Sequence, residues 1–325
     1  MLKKIVCREL GAPCVLRVED FEAQPLNADE VRVAVRAAGL NFPDVLMVAG
    51  GYQLKPELPF TPGMEAAGDV IEVGCDVPGI EVGDRVMVKL RFGAFADQVV
   101  VSSAQLAPLP STFDYAEGAT FLAAYGTAFH ALVDRAAIRP GEVLLVHGAG
   151  GGVGLAAVEL GKMLGVEVIA VASSEAKLAV ARARGADHAL LTGREQLRDA
   201  VKRITHGRGA DVVFDPVGGA AFEESLRCVA WGARLLVIGF TGGIGVAQTN
   251  LVLIKGLSVL GVRAGEAARR EPQRGEQRLK ALLQLAEEGR IRPHISHRLP
   301  LSECAAAMQL LLDRKAIGRV ALVTG

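Results

Sequence analysis

The sequence predicts an α/β protein in which a doubly wound parallel sheet is inserted into a β-rich domain, and three observations carry that prediction. A strand-helix alternation begins at Val143, short alternating strand-like runs fill the chain before about residue 110, and a third pattern returns over the last 45 or so residues. The length, 325 residues, suits about two domains. The expected division is residues 1–116 together with 263–325, and an inserted 117–262.

In the first segment, Val31-Arg32-Val33-Ala34-Val35-Arg36 and Asp69-Val70-Ile71-Glu72-Val73 alternate in the way of strands with one buried face, separated by glycine and proline turns. In the insert, expected strands span 143–146, 167–171, 211–214 and 234–238, with helical stretches that include 176–183 and 222–227. Strands alternating with helices imply a parallel sheet covered on both faces. The run 251–262 suits a short helix followed by a buried edge strand. Beyond it, an amphipathic helix at 276–288, a second helix at 303–312 and a strand at 318–323 return the chain to the first domain.

The strand Val143-Leu144-Leu145-Val146 runs into His147-Gly148-Ala149-Gly150-Gly151-Gly152-Val153-Gly154 and then a helical pattern. Strand, glycine turn and helix in that order are the context that confirms a dinucleotide fingerprint. The helix dipole and its unpaired N–H groups favour a pyrophosphate, and glycine lets the phosphates approach the backbone. The spacing here is Ala149-x-Gly151-x-x-Gly154, with alanine in place of the first glycine. An NAD site usually carries an acid at the end of the second strand to bind the ribose 2′-hydroxyl. This chain has Ala172-Ser173-Ser174-Glu175-Ala176-Lys177 instead. Lys177 supplies charge and Ser173 and Ser174 supply neutral donors for a 2′-phosphate, so NADPH is favoured over NADH. Glu175 has a simple place in the first turn of the next helix.

Thirty-six basic and 36 acidic residues leave no net charge, which is not the footprint of a nucleic-acid binder. Arg8 and Glu9 interrupt the opening residues before a signal-peptide core forms, and no run is apolar for membrane-spanning length, so a cytoplasmic protein without a membrane partner is expected. The five cysteines are scattered without a C-x-x-C pair, which fits reduced structural thiols. Six histidines form no recognisable triad, and no Gly-x-Ser-x-Gly elbow supports a hydrolase.

Several ordered motifs carry a family resemblance over nearly the whole chain: Ala38-Gly39-Leu40-Asn41-Phe42-Pro43-Asp44, Pro62-Gly63-Met64-Glu65-Ala66-Ala67-Gly68, Val82-Gly83-Asp84-Arg85-Val86, Ala124-Tyr125-Gly126-Thr127-Ala128 and the glycine turn. The chain resembles the medium-chain dehydrogenase/reductase superfamily, most of all its zinc-free NADPH:quinone oxidoreductase branch. The resemblance implies a GroES-like catalytic domain with an inserted Rossmann domain. Zinc alcohol dehydrogenases have a cysteine where Asn41 stands and a histidine where Met64 stands, and their four-cysteine lobe would fall after Val88. Lys89-Leu90-Arg91-Phe92-Gly93-Ala94-Phe95 passes straight through that place, so no metal site is expected.

By position, the resemblance implies cofactor contacts from Gly150, Gly151, Gly152 and Val153 at the pyrophosphate and from Ser173, Ser174, Lys177 and Thr192 on the adenosine side. Gly239, Phe240, Thr241, Val262, Arg263 and Asn41 follow towards the nicotinamide, although Arg263 equally suits a surface charge. Asn41 would donate to the acceptor or orient the cofactor. Tyr52, in Ala49-Gly50-Gly51-Tyr52-Gln53, matches the tyrosine assigned as proton donor in enoyl-thioester reductases, and an aromatic lid is its other reading. Leu46 replaces the tyrosine that many quinone reductases place beside the nicotinamide, which leaves the acceptor open. The expected function is a metal-independent NADPH-dependent reductase of quinones or other α,β-unsaturated carbonyls. An enoyl-thioester (acyl-CoA) reductase and a nonenzymatic NADPH-binding protein are the alternatives. Relatives pair the 251–262 edge across a subunit boundary, which implies a homodimer.

Overall fold

A computed structural model describes residues 1–324. The chain opens with a hairpin of β1 (Leu2–Val6) and β2 (Arg17–Phe21), then enters β3 (Glu30–Leu40), the longest strand. Helix α1 (Phe42–Val48) follows at once, and β4 (Glu65–Val73), β5 (Arg85–Lys89), β6 (Gln98–Ser102) and β7 (Leu106–Pro108) continue the strand-rich half. Short helices α2 (Tyr115–Ala119) and α3 (Leu122–Phe129) lead out of it.

The middle of the chain then repeats β-α units. In order they are β8 (Val143–Val146), α4 (Gly152–Met163), β9 (Glu167–Ala172), α5 (Glu175–Ala183), β10 (His188–Leu191), α6 (Leu197–Ile204), β11 (Ala210–Asp215), α7 (Gly219–Cys228), β12 (Val229–Val237), α8 (Thr249–Lys255) and β13 (Ser258–Gly261). Helices α9 (Ala264–Arg270) and α10 (Pro272–Glu287) close this part. The chain ends with β14 (Ile295–Pro300), α11 (Cys304–Leu312) and β15 (Arg319–Val323).

Two compact units result. One holds residues 1–123 and those from 286 onward, and the other holds 124–285. The expected junctions lie after 116 and 262, whereas the units divide after 123 and 285, so 117–123 group with the first unit and 263–285 with the insert. The reason lies in α10, where Arg278 bonds Asp134 Oδ2 at 2.6 Å and reaches His130 Nδ1 at 3.3 Å, all within the second unit.

In the first unit the strands run β14-β15-β3-β4-β5-β7, with β6 also on β3. Apart from the parallel β14–β15 pair, neighbours are antiparallel, and alternate residues such as Val31, Val33 and Val35 fill its core. In the second unit the order is β10-β9-β8-β11-β12-β13, all parallel. Every residue of β8 is buried, as a central strand covered by helices on both faces requires. The expected edge strand is β13, after the short helix α8. It is largely exposed in the single chain rather than buried. All five cysteines are free, and among the described residues no helix is long and apolar enough to cross a membrane.

Candidate functional site

The second unit carries its candidate residues along the carboxyl ends of the parallel strands, where open α/β sheets bind ligands. The turn after β8 is held by backbone bonds: His147 N–H donates to Phe214 O at 3.0 Å, Ala149 N–H to Val171 O at 3.0 Å and Gly151 N–H to Gly148 O at 2.8 Å. Gly148 adopts φ +56°, and a Cβ on Gly154 would stand 2.3 Å from Gly148 O. Only glycine lets α4 start so close to the turn. Gly151 is the N-cap of α4, so no side chain covers the first N–H groups at Gly152 and Val153. An exposed helix start of this kind accepts a pyrophosphate. The residues present therefore fit a dinucleotide.

The adenosine side is equally local. Ser174 is the N-cap of α5, its Oγ accepting from Lys177 N–H at 3.4 Å. Ser173 instead lies exposed at the rim, with Lys177 Nζ 3.5 Å from its Oγ. The two serines thus divide into a helix cap and a rim hydroxyl. The stem of Lys177 crosses Gly150, where an added Cβ would come within 2.5–2.8 Å of its Cβ, Cγ and Cδ. One lysine so links the pyrophosphate turn to the end of β9. Thr192 donates both its N–H, at 2.9 Å, and its hydroxyl, at 3.1 Å, to Ala172 O, fixing the turn after β10 beside the same strand end.

Towards the other end, Asp215 Oδ1 accepts from the N–H groups of Val217 and Gly218 at 2.8 and 2.9 Å, capping the loop after β11. Gly239 N–H reaches Asp215 O at 3.4 Å, and Thr241 bonds Pro216 O through both N–H and hydroxyl at 3.3 and 3.2 Å. Phe240 is exposed. Val262 N–H donates to Val237 O at 3.0 Å, and Arg263 is an exposed residue at the start of α9. His147 lies buried among the strand ends. Ser225 gives its own proton to Ala221 O at 2.7 Å, so the 2.7 Å contact between His147 Nε2 and Ser225 Oγ assigns the proton to Nε2. Burial pushes the His147 pKa down, against the pull of Asp215. It is a neutral packing residue.

The first unit presents a different chemistry. Asn41 follows β3 and caps α1, with its N–H on Asp44 Oδ2 at 2.8 Å. Its side-chain NH2 donates to Glu65 Oε1 at 2.9 Å and Gly39 O at 3.3 Å, and its carbonyl accepts from Arg319 Nη1 at 2.9 Å. Both amide hydrogens are thereby turned into the unit. Arg319 Nη2 forms a short ion pair with Glu65, whose second oxygen accepts from Ala123 N–H at 2.9 Å. The sheet explains the meeting, because Val320 of β15 pairs with Leu40 and Gly39 with Glu65, so three adjacent strands bring Arg319, Asn41 and Glu65 side by side.

All four polar residues are buried, Asp44 and Glu65 to within 1%. Burial pushes Asp44 up to about 7, with the Asn41 N–H and Arg319 opposing and Glu65 adding to the rise. Glu65 is raised by burial too, against Arg319. Asp44 Oδ1 and Arg319 Nε have no partner. Sequence reading singled out Asn41 and missed Glu65, Arg319 and Asp44 as its partners. The available signal was a charge leading an apolar strand at Arg319 and a carboxylate inside an apolar motif at Glu65.

Tyr52 follows α1 on a loop set by Gly50 at φ +74° and by Gly51 N–H on Leu46 O at 2.8 Å. It is half-buried and its ring packs against the core of the unit. Leu46 is also half-buried. Around Met64, backbone bonds zip the segment 90–95 to 62–64, with Leu90 N–H on Met64 O at 2.8 Å and Ala94 N–H on Gly63 O at 3.0 Å. The direct path leaves no lobe there. Among the described residues, no three His, Cys, Asp or Glu side chains gather to hold a metal ion.

Known proteins share both units. Residues 27–111 match the alcohol dehydrogenase GroES-like domain, and residues 152–287 match the zinc-binding dehydrogenase family. A quinone oxidoreductase-like protein 2 homolog from Nematostella vectensis is 37% identical over 99% of this chain and 89% of its own. The Escherichia coli quinone oxidoreductase complexed with NADPH superposes with a TM-score of 0.91 at 28% identity, covering 99% of each chain. The structure of an NAD-dependent alcohol dehydrogenase gives a TM-score of 0.91 at 32% identity over 99% of this chain and all of that one.

Proposed function

The chain belongs to the medium-chain dehydrogenase/reductase superfamily as an oxidoreductase, and from that premise we propose a metal-independent, NADPH-dependent reductase of quinones or activated alkenes. The observation that carries this reading is Lys177 laid across Gly150 beside Ser173, with alanine at the end of β9 where an NAD site would carry an acid. When bound, NADPH supplies the hydride. The protein's share is to bind, orient and manage protons.

In this reading Gly150, Gly151, Gly152 and Val153 hold the pyrophosphate, while Ser173, Lys177 and Thr192 form the 2′-phosphate side with Ser174 fixing α5. Gly239, Phe240, Thr241, Val262 and Arg263 border the nicotinamide end. Asn41 acts by position: anchored by Glu65 and Arg319, it fixes the start of α1 and with it the loop that carries Tyr52. Asn41 and Met64 stand where zinc ligands would be needed, so the acceptor must be electron-poor by its own conjugation. Quinones and enones meet that demand.

Tyr52 is the residue we assign to return a proton to a reduced alkene, which keeps short enoyl thioesters as the second acceptor class. NADPH oxidation measured against quinones, enones and enoyl-CoA esters, with wild type and Tyr52→Phe, separates these readings. Turnover of quinones unaffected by Tyr52→Phe, beside alkene reduction slowed about 100-fold at unchanged NADPH affinity, is the expected pattern. Tight NADPH binding with no turnover of any acceptor would leave a nonenzymatic binder instead.

A cytoplasmic homodimer completes the proposal. Edge strand β13 has its outer side unpaired in the single chain, and Leu253, Ile254 and Val259 are exposed on or next to it. Such an edge is ordinarily covered. Light scattering should return twice the chain mass, and a monomer would remove this part.

A further inference from the structure

Two loops of the second unit converge at the end of β9. The first, 173–177, carries Ser173 and Lys177. The second is the turn after β10, tied to the same strand end by the two bonds from Thr192 to Ala172 O and closed by Arg194 N–H on Leu191 O at 3.2 Å. Arg194 projects from this turn and remains 73% exposed. Its guanidinium lies 3.8 Å from Glu175, the first residue of α5, and Arg182 approaches the same carboxylate at 3.5 Å.

The charges at this edge are therefore uneven. Arg182 and Arg194 share the Glu175 carboxylate, and Glu195, which also feels Arg194, is paired with Arg203 at 2.9 Å, so three arginines stand against two carboxylates beside Lys177. A phosphate monoester carries about −1.5 to −2 near neutral pH, more than one lysine neutralises. An exposed ion pair at 3.8 Å is longer than a charge-assisted hydrogen bond of about 2.7–2.9 Å and holds its arginine weakly. The planar guanidinium matches a phosphate in a way that an ammonium does not.

We propose that Arg194 is a second specificity-determining cation for the cofactor's 2′-phosphate, parked on Glu175 until that phosphate arrives. Glu175 then does not argue against NADPH. It holds the arginine at the rim, and exchanging one carboxylate partner for a doubly charged phosphate releases it. The inference rests on the NADPH reading, and its test separates the two.

Adenosine 2′,5′-bisphosphate and adenosine 5′-monophosphate differ only in the 2′-phosphate, so calorimetric binding of each to the full chain isolates that group without the nicotinamide or any turnover. Wild type should bind the bisphosphate more tightly. Arg194→Gln should weaken the bisphosphate about tenfold, the loss of one charged hydrogen-bonding partner, and move the monophosphate less than twofold. Arg194→Lys should retain only part of the preference, and Glu175→Gln should bind the bisphosphate as tightly as wild type or more so. Unchanged bisphosphate affinity in Arg194→Gln would overturn the role of Arg194 while leaving the NADPH reading intact. Weaker binding in Glu175→Gln would contradict the parking role. A wild type that does not distinguish the two nucleotides would sink the NADPH reading, and this proposal with it.

Discussion

The two units build their candidate residues by opposite means. In the second unit, the turn at 147–154 and the Thr192 turn rest mainly on backbone bonds between neighbouring strand ends, with Ser174 Oγ and the Thr192 hydroxyl adding short-range caps. In the first, Asn41, Asp44, Glu65 and Arg319 meet as buried side chains drawn from positions up to 278 residues apart. A backbone-built cradle depends on glycine and on local geometry, so it fails by crowding. A buried polar cluster depends on mutual neutralisation, so it fails when one member is removed.

The largest effect should follow from breaking the cluster. Arg319→Met removes the cation that faces Glu65 and leaves a buried carboxylate uncompensated, which costs about 3–5 kcal/mol of unfolding free energy in chemical denaturation. Binding of adenosine 5′-monophosphate, which reports the other unit, should stay within twofold of wild type. If Arg319→Met proved neutral, the cluster would be incidental to the first unit, and the contrast between the units would lose its basis.

The smaller effect on stability belongs to the glycine turn. Gly154→Val places a side chain where a Cβ alone would already stand 2.3 Å from Gly148 O, so the turn or the start of α4 must shift. Overpacking of this kind costs about 1–3 kcal/mol, but the sharper readout is affinity. NADPH binding measured by fluorescence should weaken at least about tenfold. Unchanged affinity would mean that the pyrophosphate is held somewhere other than this turn.

The same contrast explains what was legible in the sequence. The glycine turn, Lys177 and the β-α alternation are local in the chain, so spacing and period reveal them before any folding is considered. The partnership of Arg319 with Asn41 was not legible, because it exists only once β15 is laid against β3, and strand order is not written in any single segment. The split between Ser173 and Ser174 was likewise hidden: the residues are identical, and only the start of α5 decides which becomes a cap. The junction at 285 rather than 262 turned on Arg278 reaching Asp134, a contact across 144 residues. The exposure of β13 was missed because an apolar run reads the same whether its own chain or another copy covers it.

Hydride transfer from NADPH without a metal is tested by NADPH oxidation at a fixed quinone concentration before and after exhaustive chelation. The same rate is expected in both, because the Asn41 side chain is committed to Glu65 and Arg319. Loss of the rate on chelation, restored by adding zinc, would contradict it.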